Sequence, residues 1–200
     1  MFLINGNGQG FMTLLGMPFK ISPTNLDLEI ARTIAWHTRP GIERAVEIAT
    51  WGADENLLVA AAVAWWLYTR QRPRQRLAAN HVLLTTVAAS VLPHLLKAIF
   101  NKRRPDRLTV LGHLHGVPIS GNPLDAFPSG HAVHVGALAS AAARLPRTER
   151  NAVWSIGAGL LATRVVLLAH WASDVVAGLA IGVALERLLR RLTGFGADSR

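Results

Sequence analysis

The sequence predicts an all-α fold: an integral membrane helical bundle of about five transmembrane helices, preceded by an N-terminal amphipathic helical region. Half of the 200 residues are hydrophobic and only 16% are charged, against about 25% in an average soluble domain. The apolar residues gather in long runs at helical spacing. The arginines, which supply most of the net charge of +9, fall between those runs, as they do in membrane proteins.

The first 54 residues are predicted to form a leader and amphipathic interfacial helices. Residues 1–25 contain glycines, prolines and a short apolar stretch, Phe11 to Phe19, and we expect them to be flexible or to lie on a surface. Apolar residues recur at helical spacing from 26 to 51, with a break at Pro40. Charged residues throughout 26–51 exclude a bilayer span, so this segment is expected to lie on the membrane surface or to pack over the other helices.

Five apolar helical runs form the predicted transmembrane core, residues 55–192. The runs are residues 55–69, 77–100, 131–145, 152–169 and 172–189. A bilayer core needs about 20 helical residues, so 77–100 is long enough, whereas 131–145 needs residues from its flanks. Residues 193–200 are a polar tail. The chain contains no cysteine, which excludes disulfides, thiolate metal ligands and a cysteine nucleophile.

Arginine clusters follow the first, third and fifth runs. Their members are Arg70, Arg72, Arg74 and Arg76, then Arg144, Arg147 and Arg150, then Arg187, Arg190 and Arg191. If every run crosses the membrane, all three clusters lie on one side, which the positive-inside tendency makes the cytoplasm. The sequence therefore predicts a protein of the bacterial inner (plasma) membrane, with the opposite ends of the runs at the periplasmic, outer face.

Three polar side chains interrupt the apolar sequence near the fifth run. His170 and Asp174 are four residues apart, so on a helix they share a face, and the carboxylate can take the Nδ1 proton of the imidazole. Nε2 then remains as a base or nucleophile. Arg164 is a planar, permanently charged donor suited to an oxyanion. Taken alone, the trio is explained equally well by a satisfied internal polar network.

A second cluster, K-x6-R-P, ends the longest apolar run. Lys97 and Arg104 are seven residues apart, two helical turns, so on a helix both cations point the same way. Pro105 favours the end of the helix at this point. Three further cations, Lys102, Arg103 and Arg107, are expected to strengthen the positive field at the mouth of a pocket or to contact lipid headgroups.

A third cluster, P-S-G-H, opens the run 131–145. Ser129 is a natural N-cap, and Gly130 lets the backbone approach a ligand because it has no Cβ. The exposed amides of a helix start bind anions, and His131 follows directly. Together the three clusters supply three cations, a hydroxyl, amides, two histidines and a carboxylate, which indicates a site for phosphate transfer.

In this order the clusters K-x6-R-P, P-S-G-H and R-x5-H-x3-D resemble the motifs of the type 2 phosphatidic acid phosphatase superfamily. That superfamily includes membrane lipid phosphate phosphatases, bacterial non-specific acid phosphatases and vanadium haloperoxidases. The resemblance covers Lys97 to Asp174, with Thr163 where the third motif usually has serine. It implies a membrane-bound hydrolase that cleaves lipid phosphate or polyprenyl diphosphate monoesters through a phosphohistidine intermediate.

The resemblance also implies a role for each motif residue. The catalytic residues are His170 as nucleophile, Asp174 as its orienting carboxylate and His131 as acid and base. The substrate phosphate is held by Lys97, Arg104, Arg164, Ser129 and the amide of Gly130. Because fixed cations surround the phosphoryl oxygens, we expect no metal and no other cofactor.

The expected partners are membrane lipids and an anionic phospholipid or polyprenyl (di)phosphate substrate. Undecaprenyl diphosphate is the first choice, phosphatidic acid and phosphatidylglycerophosphate are further candidates, and no nucleic acid is expected. The choice between monophosphate and diphosphate stays open, as does the oligomeric state. One alternative is a soluble-type acid phosphatase or vanadate-dependent peroxidase of the same superfamily, against which the five apolar runs argue. Another is a non-catalytic anionic-lipid binder or transporter, which would not need both histidines and the carboxylate.

Four other histidines have simpler interpretations. His113 and His115 are expected to be polar loop residues, because a third metal ligand does not accompany them. His134 either lines the pocket or packs. His81, inside the longest run, is a functional candidate by its position, although hydrogen bonding between helices explains it as well.

Overall fold

The computed structural model describes residues 18–37, 39–50, 54–105 and 122–196. This part of the chain contains seven α-helices and two short strands. In chain order they are β1 Phe19–Ile21, α1 Asn25–His37, α2 Pro40–Thr50, α3 Glu55–Thr69, α4 Pro73–Ile99, β2 Phe100–Lys102, α5 Gly130–Ala141, α6 Arg147–Val166 and α7 Ala172–Thr193. A short 3-10 helix, Ala142–Arg144, follows α5. The predicted helical fold is confirmed.

The two strands depart from the all-α prediction. β1 and β2 pair in parallel, with Phe19 opposite Phe100 and Ile21 opposite Lys102. The ring centroids of Phe19 and Phe100 are 6.1 Å apart. Strands of three residues are too short to give a periodic signal, so the sequence pattern missed them. The pairing ties the end of the predicted leader to the residues that follow α4; the leader before residue 18 lies outside the described residues.

The helix boundaries follow the sequence pattern. The five predicted runs coincide with α3 to α7, and the break predicted at Pro40 separates α1 from α2. Asp54 caps α3, because its side chain accepts hydrogen bonds from the N–H groups of Asn56 and Leu57 at 3.0 and 3.1 Å. At the other end of the chain, Gly194 adopts φ 68°, the left-handed conformation that ends α7.

α5 is the most buried helix of the bundle. Nine of its 12 residues are buried, and its closest neighbour is α7. A Cβ added at Gly136 would overlap the backbone of Leu179, and one added at Gly182 would overlap the backbone of Val133. Small residues at these positions therefore allow the two helices to touch backbone to backbone.

Among the described residues, one helix is long and apolar enough to cross a membrane. It is Gln75–Ile99 within α4, with a mean hydropathy of 1.7. α3 and α5 have 15 and 12 residues, shorter than the roughly 20 that a bilayer core requires. α6 and α7 are longer but carry charged residues at both ends. Five transmembrane helices therefore stay a prediction.

Hydrogen bonds between helices define the two ends of the bundle. At one end, the N–H of Ser129 before α5 donates to the carbonyl oxygen of Asp174 in α7, at 3.3 Å. At the opposite end, Ser140 of α5 donates to Glu186 of α7 at 2.6 Å. His81 of α4 lies 3.0 Å from the same carboxylate. The three motifs thus lie at one end of the bundle and the arginine-rich helix ends at the other.

The arginine-rich end contains a buried polar network around Glu186. One carboxylate oxygen accepts from His81 Nε2 at 3.0 Å and from Arg190 Nε at 2.8 Å, and the other accepts from Ser140. His81 Nδ1 lies 2.9 Å from the hydroxyl of Thr193. These contacts join α4, α5 and α7, which confirms the interpretation of His81 as a residue that hydrogen-bonds between helices.

Candidate active site

His170 lies in a tight turn between α6 and α7. The N–H groups of Ala169 and His170 both donate to the carbonyl oxygen of Arg164, at 3.1 and 3.2 Å. This double contact folds the turn 167–171 back onto the end of α6. Leu168 has φ 51°, a left-handed conformation that costs a non-glycine residue about 1–3 kcal/mol. The side chain of Leu168 is almost fully buried, and that burial offsets the cost.

The imidazole of His170 is oriented by a backbone carbonyl. Its Nδ1 donates to the carbonyl oxygen of Ala126 at 2.7 Å. A carbonyl can only accept, so the proton sits on Nδ1 and the neutral ring presents its lone pair at Nε2. Burial, together with the charges of Arg104 and Arg164, holds the pKa of His170 well below its ordinary value. The ring is therefore neutral at physiological pH, as a nucleophilic histidine must be.

The predicted contact between Asp174 and the imidazole is wrong. Asp174 Oδ1 accepts from Lys102 Nζ at 2.7 Å, and Oδ2 accepts from the N–H of Trp171 at 3.0 Å. The prediction assumed one helix through both His170 and Asp174, whereas α7 begins only after the turn. In the first turn of α7 the carboxylate instead satisfies a backbone N–H that lacks a partner within the helix, and it faces a cation.

The three predicted phosphate-binding cations lie close enough to His170 for their charges to influence it. The charges of Lys97, Arg104 and Arg164 all act on His170. The helical argument for the first pair is wrong, however, because α4 ends at Ile99 and the chain continues as a strand. β2, not a second helical turn, carries Arg104 to the site.

Arg104 is buried and fastened to the loops around the site. Its Nη1 donates to the carbonyl oxygen of Ala169 at 3.2 Å, and its Nε donates to that of Asn122 at 3.3 Å. Burial lowers the pKa of the Arg104 guanidinium, and the carboxylates of Asp125 and Asp174 oppose that shift. The group stays charged at physiological pH. Arg104 therefore braces the turn that carries the nucleophile.

The P-S-G-H motif begins α5 as predicted. Ser129 is the N-cap by position, but its side chain makes no capping hydrogen bond. Its hydroxyl is buried and has no hydrogen-bond partner in the described part of the chain. Burying a hydroxyl without a partner costs about 1–3 kcal/mol, and an oxygen of a bound anion would remove that cost. Gly130 is the first residue of α5, where a backbone N–H has no acceptor within the helix.

His131 is the second residue of α5 and is partly buried. The charges of Arg164 and Lys97 act on it, as they do on His170, and so does Asp54 at the start of α3. His131 comes from α5 and His170 from the turn between α6 and α7, and the same two cations act on both. The structure thus brings the predicted acid–base residue and the predicted nucleophile to the same end of the bundle.

Two other predictions about histidines have separate outcomes. His134 packs: its Nδ1 lies 3.1 Å from the carbonyl oxygen of Gly130, and its Nε2 lies 3.0 Å from the hydroxyl of Ser90. These contacts join α5 to α4. His113 and His115 lie outside the described residues.

Sequence reasoning missed a second group of polar residues beside the site. Lys102 is not at a pocket mouth as predicted: it is 2% exposed. Its ammonium donates to Asp174 and to the hydroxyl of Ser173, both at 2.7 Å, and lies 3.6 Å from Asp27. Asp27, predicted only as one of the charges that keep 26–51 out of the bilayer, is also 2% exposed.

Comparison with known sequences gives a family match that contains all three motifs. Residues 78–195 match the family model described as the PAP2 superfamily. Proteins named lipid A 1-phosphatase, from Rhizobium johnstonii and Rhizobium etli, are each 39% identical to this chain over 103 residues. These matches cover 51% of the chain, and 42% and 44% of the two relatives. The chain thus spans less than half the length of the curated relatives it matches.

Comparison with solved structures gives the same fold. The crystal structure of Aquifex aeolicus LpxE superposes with a TM-score of 0.71 and covers 86% of this chain and 99% of the other. A transmembrane PAP2-type phosphatidylglycerolphosphate phosphatase from Bacillus subtilis superposes with a TM-score of 0.63 and covers 87% of each chain. Both are 18% identical in sequence, so the likeness concerns the fold.

Proposed function

Because the chain belongs to the PAP2 superfamily, we propose that it is an integral membrane phosphatase that releases inorganic phosphate from a phosphorylated lipid. One observation carries the proposal: His170 is buried, neutral and held by Ala126 so that Nε2 presents its lone pair, within the field of three cations. A phosphoryl group fits this arrangement. Cations stabilise the charge on its equatorial oxygens, while the imidazole attacks phosphorus.

The first chemical step transfers the phosphoryl group to the enzyme. Nε2 of His170 forms a bond to phosphorus as the bond between phosphorus and the lipid oxygen breaks. His131 gives a proton to that leaving oxygen, so the lipid departs as an alcohol. Lys97, Arg104 and Arg164 hold the phosphoryl oxygens throughout. The proton stays on Nδ1 and keeps its hydrogen bond to the Ala126 carbonyl oxygen, which stabilises the positive charge that the attacking ring acquires.

The second step returns the enzyme to its starting state. His131, now neutral, takes a proton from a water molecule, and the water oxygen attacks phosphorus. The bond between phosphorus and Nε2 breaks, inorganic phosphate leaves and His131 is protonated again. The hydroxyl of Ser129 and the amide of Gly130 donate to phosphoryl oxygens in both steps, which uses the buried hydroxyl that lacks a protein partner.

The proposed substrate is a glycolipid that carries a phosphate at a sugar carbon, of the lipid A 1-phosphate class. The names of the two curated relatives support this choice, and the site itself requires only a phosphoryl group on a lipid. Phosphate release by the purified protein in detergent tests it, with lipid A, phosphatidic acid, phosphatidylglycerophosphate and undecaprenyl diphosphate as substrates. Preference for lipid A supports the proposed class, and preference for undecaprenyl diphosphate supports the choice made from sequence. Release from none of the four contradicts the phosphatase proposal.

Chelation of metals is expected to leave the activity unchanged, and vanadate is expected to inhibit it. Three fixed cations occupy the place that magnesium takes in other phosphoryl-transfer sites. Vanadate adopts the trigonal-bipyramidal geometry of the transition state and can bond to Nε2 of His170. Turnover measured with and without EDTA, and against increasing vanadate, checks both expectations. Loss of activity on chelation that magnesium restores would contradict the metal-free mechanism.

We also propose that α3 to α7 are the five membrane spans, with the site at the periplasmic face and α1 and α2 outside the spans. Two observations support this arrangement. All three motifs lie at one end of the bundle and the arginine-rich helix ends at the other, and α4 is long and apolar enough to span a bilayer by composition. The shorter and more charged helices then cross the bilayer as part of the bundle, with their polar residues turned toward other helices or the interfaces.

Cysteine labelling tests this sidedness, because the native chain has no cysteine. Lys20 is exposed on β1 at the motif end, and Thr148 is exposed in the first turn of α6 at the arginine-rich end. In spheroplasts, a membrane-impermeant maleimide is expected to label Lys20→Cys and to spare Thr148→Cys. Lysed spheroplasts provide the control in which both positions react. Labelling of position 148 alone would place the site on the cytoplasmic leaflet.

A further inference from the structure

We propose that Asp27, on a helix that precedes the family-matched region 78–195, is a positioning residue for the His170 nucleophile and acts through a buried network with Lys102, Ser173 and Asp174. The inference rests on the proposed function of His170. It assigns to α1 a role in the chemistry, whereas the sequence indicated only an interfacial helix.

The network is a continuous chain of short contacts that joins the buried side chains of Asp27, Lys102 and Asp174 through the partly buried Ser173. Asp27 accepts from the backbone N–H of Ser173 at 2.9 Å and from its hydroxyl at 2.7 Å. That hydroxyl accepts from Lys102 Nζ at 2.7 Å, and the same ammonium donates to Asp174 at 2.7 Å. One cation therefore serves two carboxylates, and removal of either negative charge changes the position of the ammonium.

Both branches of the network end at His170. Through its side chain, Lys102 holds Asp174, whose other oxygen accepts from the N–H of Trp171, the residue after the nucleophile. Through its backbone, Lys102 accepts from the N–H of Ala126 at 3.0 Å. Ala126 in turn supplies the carbonyl that orients the imidazole. A displaced Lys102 would therefore move the ring and its acceptor together.

Other residues of α1 pack against the turn that contains His170. Two alanines of this helix join a buried cluster around the nucleophile turn, composed of Ala31, Ala35, Ala126, Leu168 and Trp171. The β1–β2 pairing fixes the chain just before α1 to the strand that contains Lys102. α1 thus packs against Ala126, whose carbonyl oxygen accepts from the imidazole, and against Trp171, the residue after His170.

Asp27 also has a local structural role, which the test must separate from positioning. Its carboxylate accepts from the N–H of Thr24 at 2.9 Å, and the hydroxyl of Thr24 accepts from the N–H of Asp27 at 3.1 Å. This reciprocal pair caps α1. Burial alone would raise the pKa of Asp27. Hydrogen bonds from Ser173 and Thr24 and the charge of Lys102 outweigh that effect, so the pKa lies below its ordinary value. The carboxylate is therefore ionised at neutral pH and carries the negative charge that faces the Lys102 ammonium 3.6 Å away.

Asp27→Asn keeps the shape of the side chain and removes its charge. We expect kcat to fall about 10- to 100-fold with little change in KM, because a misplaced nucleophile affects the transition state and not the binding of the lipid. Single-turnover measurement of phosphohistidine formation, per mole of folded enzyme, checks that the loss lies in the attack. Ser173→Ala removes the hydroxyl that links Asp27 to Lys102 without altering any charge, and the same split between kcat and KM is expected.

Glu29→Gln is the matched control, since it makes the same kind of change at an exposed position of the same helix. A purely structural role predicts that Asp27→Asn lowers the melting temperature while kcat per folded molecule stays at the wild-type value; that result, in both Asp27→Asn and Ser173→Ala, would overturn the inference. Failure of the proposed function looks different. In that case the wild-type enzyme forms no phosphohistidine, or His170→Ala retains turnover.

Discussion

Replacement of His170 by alanine is expected to reduce turnover by at least about 10⁴-fold, because the change removes the lone pair that attacks phosphorus in the proposed mechanism. The change also removes the donor to the Ala126 carbonyl, which the structure pairs with Nδ1 at 2.7 Å. That carbonyl would lose one hydrogen bond, a cost of about 1–3 kcal/mol in stability. The variant should therefore remain folded while it loses its chemistry.

Two measurements separate loss of chemistry from loss of fold. Turnover is normalised to folded enzyme, and the acid-labile phosphohistidine is trapped with a phosphorus-labelled lipid substrate. His94→Ala is the matched control, since His94 lies near the motif end of α4 with its side chain 66% exposed. Wild-type labelling of the His94 variant and none in the His170 variant are expected. Substantial turnover by His170→Ala would remove this residue from the mechanism.

The sequence predicted the helices well because their signal is local and repeated. Long apolar runs at helical spacing marked α3 to α7, with ends that differ from those of the helices by up to five residues, and Pro40 marked the break between α1 and α2. The motif residues were also found from sequence, and the charges of Lys97, Arg104 and Arg164 do meet at His170. The structure brings these residues to one end of the bundle, but two of the contacts that their spacing predicted are wrong.

The geometry failed where the chain stops being helical. Spacing of four residues predicts contact only inside a helix, and the turn before α7 places His170 and Asp174 in different environments. The acceptor actually used, the carbonyl of Ala126, carries no side-chain signal at all. Lys102 and Asp27 are paired across more than a third of the chain, and no pattern within a short sequence window can predict such a pairing. A threonine three residues before Asp27 was a usable sign of a helix cap, but it does not predict the ion-pair network.

Gly178→Ala is expected to damage both stability and activity, because Gly178 is where α7 touches the start of α5. A Cβ at this position would lie 2.7 Å from the carbonyl oxygen of Ser129 and 2.9 Å from the Cβ of Ala132. Neither atom can move without moving the helix, so α5 must shift away from α7. That shift would break the 3.3 Å hydrogen bond between the Ser129 N–H and the Asp174 carbonyl oxygen, and it would draw the Ser129 hydroxyl, which we propose to bind phosphate, away from the His170 turn.

The expected loss for Gly178→Ala is about 1–3 kcal/mol in the free energy of unfolding and about 10²-fold in kcat/KM. Melting in detergent and turnover per folded molecule measure the two effects. Gly159→Ala is the control: it makes the same substitution within α6, where an added Cβ meets nothing within 4 Å, and helix propensity there favours alanine by up to about 1 kcal/mol. Two glycines in one bundle should thus respond in opposite directions. If Gly178→Ala has the melting temperature and kcat/KM of the wild type, the contact between α5 and α7 does not hold the P-S-G-H motif against the motif that contains His170 and Asp174.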